Sequence, residues 1–194
     1  AKKWSPYFFK TQYRAVTGED YTAFANQFIS TVGMSGKSSA VLRNSGAGSN
    51  MIDIYTVAFA DEVGGVQAQL DRSSIAYKGE LLTYLNKYKM LTDEITIVDG
   101  LIRTLDLKTT IFVDRTFEPF EEDIKRAASN KVLAFFDLTK REFGERVRVD
   151  QLNRELFEIP EIRFSTLDNL PSDVNLNFNE ILQLNNLEIN VEYV

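Results

Sequence analysis

Residues 101–138 constrain the fold most, because a strand pattern is followed there by a helix pattern. Every second side chain of the strand pattern lies on one dry face, formed by Leu105, Leu107, Thr109, Ile111 and Val113. After Glu118-Pro119, where proline suits a first helical turn, apolar residues share one helical face, at Phe120, Ile124, Ala127, Ala128, Val132, Phe135 and Phe136. A strand with one apolar face and a helix with one apolar stripe pack as two layers.

The first hundred residues contain a second set of helix and strand patterns. Thr17 begins a capping-box-like helix start, with an acid three residues later at Asp20. Residues 37–43 and 51–60 predict two strands of a hairpin, joined by a glycine-rich loop. A further helix is expected over residues 76–90, where apolar side chains again recur at helical spacing.

Asp99-Gly100 is a dipeptide typical of tight hairpin turns. It separates the short strand pattern 94–98 from the strand that begins at Leu101, so it predicts an antiparallel hairpin over residues 94–113. After the long helix, Asp150 is placed to cap a last short helix. The predicted fold class is therefore α+β, with two small two-layer modules of antiparallel hairpins packed with helices.

Three segments are predicted along the chain. Residues 1–16 form an aromatic and basic arm, residues 17–74 a first α+β module with a linker, and residues 75–194 a second α+β module. Aromatic side chains of the arm are interface candidates, because such a segment either packs on its own domain or docks elsewhere; they are Trp4, Tyr7, Phe8 and Phe9. The start of the chain lacks a methionine and a signal-peptide core, so a fragment of a longer protein is expected.

Composition removes most catalytic chemistry. The chain contains no histidine and no cysteine, which excludes serine–histidine–aspartate triads, imidazole or thiolate metal ligation and cysteine nucleophiles. The formal net charge of −6 disfavours a nucleic-acid partner, and no apolar run approaches the roughly 20 residues that cross a bilayer. We therefore expect no catalytic residues, cofactor or metal, no nucleic-acid partner and no membrane insertion.

Charge is unevenly distributed between the two ends of the chain. Residues 1–17 have a net charge of +4 and residues 155–194 a net charge of −7. Either the ends differ by chance, or the basic and acidic ends meet, within one chain or between copies.

An alternative function uses the acids of the second half. A carboxylate-dependent hydrolase or a carbohydrate-binding module would need two facing carboxyl groups roughly 5 to 9 Å apart in a cleft. The candidates for such a pair are Glu121, Glu122, Asp137 and Glu142. Acids in the first turns of a helix more often complement the helix dipole in solvent.

Two residues of the long helix do not fit its apolar stripe. Lys131 falls in the middle of the stripe, so its amine either extends past the stripe to the surface or pairs with an acid of a neighbouring subunit. Leu133 falls on the opposite, polar side. Both are predicted interface residues.

Several short motifs occur in a recognisable order. They are RAVTGEDY at 14–21, SGAGSN at 45–50 before the strand at 51–57, LTDE at 91–94 leading to Asp99-Gly100, FGERVRVD at 143–150 followed by IPEI at 159–162, and NEILQL at 179–184. This order resembles the baseplate J-like family of contractile-tailed phages, which includes the T4-type baseplate wedge subunit. The resemblance covers residues 12–194 and corresponds to a carboxy-terminal fragment.

The resemblance implies a structural role and no enzymatic activity. A member of this family is a virion protein of the tail baseplate, assembled in the host cytoplasm. It would join neighbouring wedges into the ring around the hub through homodimer contacts and contacts with other wedge proteins. Such contacts would repack when the tail contracts.

Overall fold

The computed structural model describes residues 14–31, 34–44, 50–60, 69–170 and 172–194. Its helices are α1 (Gly18–Ala25), α2 (Ile75–Leu85), a 3-10 helix (Arg115–Phe120), α3 (Glu121–Phe135) and α4 (Val149–Phe157). Its strands are β1 (Gly36–Asn44), β2 (Asn50–Phe59), β3 (Leu70–Arg72), β4 (Asp93–Asp99), β5 (Leu101–Val113), β6 (Arg146–Val147), β7 (Ile162–Leu167), β8 (Val174–Asn175) and β9 (Glu180–Tyr193). The mixture of helices with sheets confirms the predicted α+β class.

The chain divides into two compact units. The first comprises Ala1–Ile102 with Phe178–Glu180, and the second comprises Arg103–Asn177 with Ile181–Val194. The division therefore follows Ile102, whereas the sequence interpretation placed it after residue 74. Helix α2 and strand β4 belong to the first unit because their apolar side chains complete its core.

Strand β2 is the centre of the sheet in the first unit. β1 pairs with it in antiparallel register from Gly36↔Ala58 to Asn44↔Asn50, which confirms the predicted hairpin. β4 and β3 share the opposite edge of β2. Helices α1 and α2 contribute to one core with this sheet, formed by Ala15, Tyr21, Phe24, Ala25, Phe28, Ile52, Ile54, Tyr77, Leu81 and Leu85.

The predicted hairpin over residues 94–113 is wrong. β4 instead pairs with β2 in parallel, from Asn50↔Asp93 to Thr56↔Asp99, while β5 belongs to another sheet. A tight Asp-Gly hairpin turn needs a positive φ at its glycine, and among the described glycines only Gly144 has one. The Gly100 amide continues the β2 pairing by donating to the Thr56 carbonyl at 2.9 Å.

In the second unit, β5 lies between β7 and β9. Leu107, Ile111 and Val113 on its dry face belong to the same core as residues of α3 and α4, as the alternating pattern predicted. The core also contains Ile124, Ala128, Val132, Phe135, Phe136, Val147, Leu152, Leu156, Ile159, Ile162, Leu170 and Leu182. None of the helices in the described ranges is long and apolar enough to cross a membrane.

Two details of the helix starts differ from prediction. The segment around Pro119 forms a 3-10 helix, and α3 begins only at Glu121. Asp150 lies inside the first turn of α4 and does not cap it. The Val149 amide at that helix start donates instead to the Asp173 side chain at 3.0 Å, an acid that is distant in sequence.

Candidate functional site

The structure explains the unusual position of Lys131 within its own chain. The Lys131 amine lies 2.5 Å from the carboxylate of Glu158, which follows the last residue of α4. The hydrogen bond to Glu158 raises the pKa of Lys131. Since the amine passes the apolar stripe and links α3 to the end of α4, the residue has an intramolecular role. Its role in an interface stays a prediction.

The other predicted interface residues have different outcomes. Leu133 is half-buried rather than exposed on the polar side of α3, and its contact with a partner also stays a prediction. Trp4, Tyr7, Phe8 and Phe9 lie outside the described residues.

Glu121 and Glu122, two of the four acids proposed for a hydrolase, do not have the features of a glycosidase acid. Glu121 accepts hydrogen bonds from Lys125 and Tyr193, at 2.6 and 2.5 Å, and these bonds lower its pKa. A general acid needs the opposite, a pKa that is raised. The side chain of Glu122 is 91% exposed. Within the described ranges, no group of three or more acidic side chains is placed to hold a metal ion.

A concave surface of the second unit, the Phe120 groove, has a volume of about 390 Å³. It is lined by Phe117, Phe120, Asp123, Ile124, Ala127 and Glu161. This volume lies within the ~300–1,000 Å³ range of sites that bind small ligands. It is large enough to hold one or two aromatic side chains. Two of its lining residues are acidic and none is basic.

The 3-10 helix contributes Phe117 and Phe120 to this groove. The carboxylate of Asp114 caps the turn by accepting from the Thr116 amide at 3.0 Å. The tighter turn ends at Phe120, before α3 begins, so the helical spacing that predicted a buried Phe120 does not apply there. Phe120 is 57% exposed as a result. Pro119, which lies inside the 3-10 helix, was the sequence feature that could have indicated this change of helix type. On sequence alone it was interpreted only as the start of an α-helix.

A shallower groove of about 290 Å³ lies on the other side of α3. It is lined by Glu122, Lys125, Arg126, Ser129, Leu187 and Ile189. Its two basic residues outnumber its single acid, which distinguishes its charge from that of the Phe120 groove.

The outer face of the second sheet carries an aromatic pair. Phe112 and Phe164 are register partners on β5 and β7, and their rings stack with centroids 4.0 Å apart. Asp168 accepts hydrogen bonds from Thr110 and Thr166 beside them, at 2.8 and 3.1 Å. The pair is therefore a self-contained cross-strand contact within a polar face.

A buried polar network joins α1 to β4 in the first unit. Asp93 is 4% exposed. Its side-chain oxygens accept hydrogen bonds from the Tyr21 hydroxyl at 2.7 Å and from the side-chain Nδ2 of Asn50 at 3.1 Å. Burial, and then the hydrogen bond to Asp93, raises the pKa of Tyr21 well above its usual value. The network holds a neutral tyrosine against a carboxylate and so stabilises the fold of the first unit.

This network predicts a loss of stability at high pH. Because folding raises the pKa of Tyr21 above its ordinary value of 10.0, its contribution is complete below pH 10 and decreases as the pH rises further. Tyr21→Phe should reduce this loss and, by leaving Asp93 short of a donor, cost about 1–3 kcal/mol at neutral pH. Urea unfolding from neutral pH to above pH 10 measures both effects. Equal pH dependence in the two proteins would contradict the assignment.

Similarity to known proteins is found at the level of the fold. Neither the models of known protein families nor the curated protein sequences match this chain. Among solved structures, a chain of the anti-feeding prophage (AFP) baseplate, determined by cryo-EM with six-fold symmetry imposed, is similar with a TM-score of 0.53. The two are 10% identical, and the similarity covers 95% of this chain and 40% of that chain. The chain thus shares the fold of part of a baseplate protein.

Proposed function

We propose that this chain is a structural subunit of a contractile tail baseplate, belonging to the wedge and present in several copies around the hub. The single observation that supports it most is the shared fold with a chain of the AFP baseplate across 95% of the residues. The order of the five sequence motifs supports the same assignment independently, because it extends over nearly the whole chain. The protein would be located in the virion tail and assembled in the host cytoplasm.

The absence of histidine and cysteine is consistent with this role. A structural subunit acts through shape and contacts, so it needs no general base or metal ligand. In a six-fold assembly such as the AFP baseplate, each copy would contact identical neighbours and other wedge proteins. These contacts would repack between two arrangements when the tail contracts.

We expect self-association in solution. Light scattering coupled to size-exclusion chromatography should give a mass that rises toward a dimer as protein concentration increases. A specific interface between copies should bury at least about 1,000 Å² in total. A monomer mass at every concentration up to the millimolar range would contradict the proposed homodimer.

Location in the baseplate requires a separate measurement. A tagged chain, expressed during production of contractile particles by the source organism, should be labelled by antibody at the baseplate end of purified tails in electron microscopy. Label distributed along the tail tube or absent from intact particles would contradict the baseplate assignment.

A further inference from the structure

The Phe120 groove differs from the other surfaces of the second unit in the chemistry that it would accept. Phe117, Phe120, Ile124 and Ala127 give it an apolar lining, and its acids are Asp123 and Glu161. Asp123 forms an ion pair with Arg126 at 2.7 Å, whereas no ion pair is found for Glu161 among the described residues. The groove thus suits aromatic side chains that are flanked by positive charge.

One segment of the chain has this chemistry. Residues 1–13 carry three lysines and no acid, and five of the thirteen residues are aromatic: Trp4, Tyr7, Phe8, Phe9 and Tyr13. The segment is long enough to place several aromatic residues along a surface, since an extended chain spans about 3.3 Å per residue. Its positive charge complements Glu161, the acid of the groove for which the described residues show no ion pair.

We propose that the Phe120 groove binds the aromatic, basic segment 1–13 of a second copy of this chain. This inference rests on the proposed function, because it requires that copies associate. An arm of one copy in the groove of another joins two different surfaces, which is a heterologous contact. When two copies exchange their arms reciprocally, the two contacts close a dimer with two-fold symmetry.

The other two surfaces fit this segment less well. The groove on the other side of α3 is lined by Lys125 and Arg126 with a single acid, and both bases form ion pairs, so it offers lysines less attraction than the Phe120 groove does. The rings of Phe112 and Phe164 already stack on each other beside the Asp168 carboxylate, which accepts from two threonines. Charge therefore favours the Phe120 groove.

The test uses an intrinsic probe. Trp4 is the only tryptophan of the chain, so tryptophan emission reports on the arm alone. In the unmodified protein, emission should shift to shorter wavelength as concentration rises, in parallel with the dimer mass measured by light scattering. Raising the salt concentration should move this transition to higher protein concentration, because the contact includes opposite charges.

Phe120→Ala should weaken the association about tenfold or more, as expected for an aromatic residue at the centre of an interface. Phe157→Ala is the matched control, since Phe157 is also an exposed phenylalanine of the second unit, 46% against 57%, and does not line the groove. The control should leave the transition unchanged. Substituting serine for both Lys2 and Lys3 removes positive charge from the arm and leaves the groove unchanged. This double variant should also weaken the association.

Each outcome decides the proposal. A dimer that forms normally in the Phe120→Ala protein, with an unchanged emission shift, would overturn the groove while leaving the proposed self-association intact. An emission shift that depends on Phe120 but not on protein concentration would show that the arm binds within its own chain, which also overturns the proposal. Equal effects of Phe120→Ala and Phe157→Ala would do the same, because they would indicate general destabilisation.

Discussion

Gly36→Ala is expected to lower the free energy of unfolding by about 3 kcal/mol, the upper part of the usual range for overpacking. A methyl group at this first residue of β1 would lie 2.4 Å from the Val57 carbonyl oxygen and 2.8 Å from the Tyr77 hydroxyl. The carbonyl belongs to β2, the central strand, and Tyr77 is 1% exposed in the core. Neither neighbour can move without disturbing the pairing of the strands or the position of α2.

Gly79→Ala is the matched control with the opposite sign. Gly79 lies inside α2, and a methyl group there would meet nothing within 4 Å. Replacing a helix-interior glycine with alanine should stabilise the protein by about 0.5–1 kcal/mol. Urea denaturation of both variants measures the difference, with hydrogen exchange of the β1–β2 amides as a local readout. A Gly36→Ala protein as stable as the unmodified chain would contradict the packing described at this position.

Local patterns predicted the elements that depend on neighbouring residues. The predicted capping box forms, with the Asp20 amide donating to the Thr17 hydroxyl at 3.2 Å and the Asp20 carboxylate accepting from the Thr17 amide at 2.9 Å. The alternation along β5 correctly identified Leu107, Ile111 and Val113 as core residues. Both features follow from spacing alone, because the residues that form them lie within one or two turns or on one strand face.

Pairings between distant segments could not be predicted in this way. β4 has the alternation of a strand, but alternation does not specify a partner, and the parallel pairing with β2 requires the intervening helix α2 to cross over. The Asp173 carboxylate reaches the start of α4 from 24 residues away. Periodicity contains no information about either contact.

Contacts between distant segments also explain why the candidate surfaces could not be predicted from the sequence. The sequence identified Lys131 as a misfit on its helix, yet its partner Glu158 lies 27 residues later and becomes adjacent only when α3 and α4 pack together. Phe120 was predicted to be buried because helical spacing was extended across a 3-10 turn. The groove lies at the junction of the 3-10 helix and α3, where the spacing of an α-helix does not describe which side chains are buried.

Arg141 is a buried cation that completes the C-terminal end of α3. Its side chain is 9% exposed, and its Nε donates to the Phe135 carbonyl at 3.1 Å, with a further bond from Nη2 to the same oxygen. Nη1 donates to Glu145 at 2.8 Å, which follows Gly144, a residue with a φ of 67°. The guanidinium carbon also lies 4.4 Å from the centre of the Phe135 ring. The guanidinium thus satisfies a carbonyl that has no partner within the helix.

Arg141→Met should therefore destabilise the protein by about 3 kcal/mol, because it leaves the buried Phe135 carbonyl without its side-chain donor and removes the ion pair with Glu145. Arg141→Lys should recover only part of this loss, since an ammonium is a compact point charge and lacks the planar fork of donors that reaches the Phe135 carbonyl and Glu145 while it stacks on a ring. Arg163→Met is the control: this side chain is 65% exposed and lies 3.2 Å from Asp114, so the change should stay within about 0.5 kcal/mol. Urea denaturation gives the three values, and hydrogen exchange at the last turn of α3 should accelerate only in the Arg141 variants. Comparable losses for Arg141→Met and Arg163→Met would show that burial of the guanidinium contributes little to the fold.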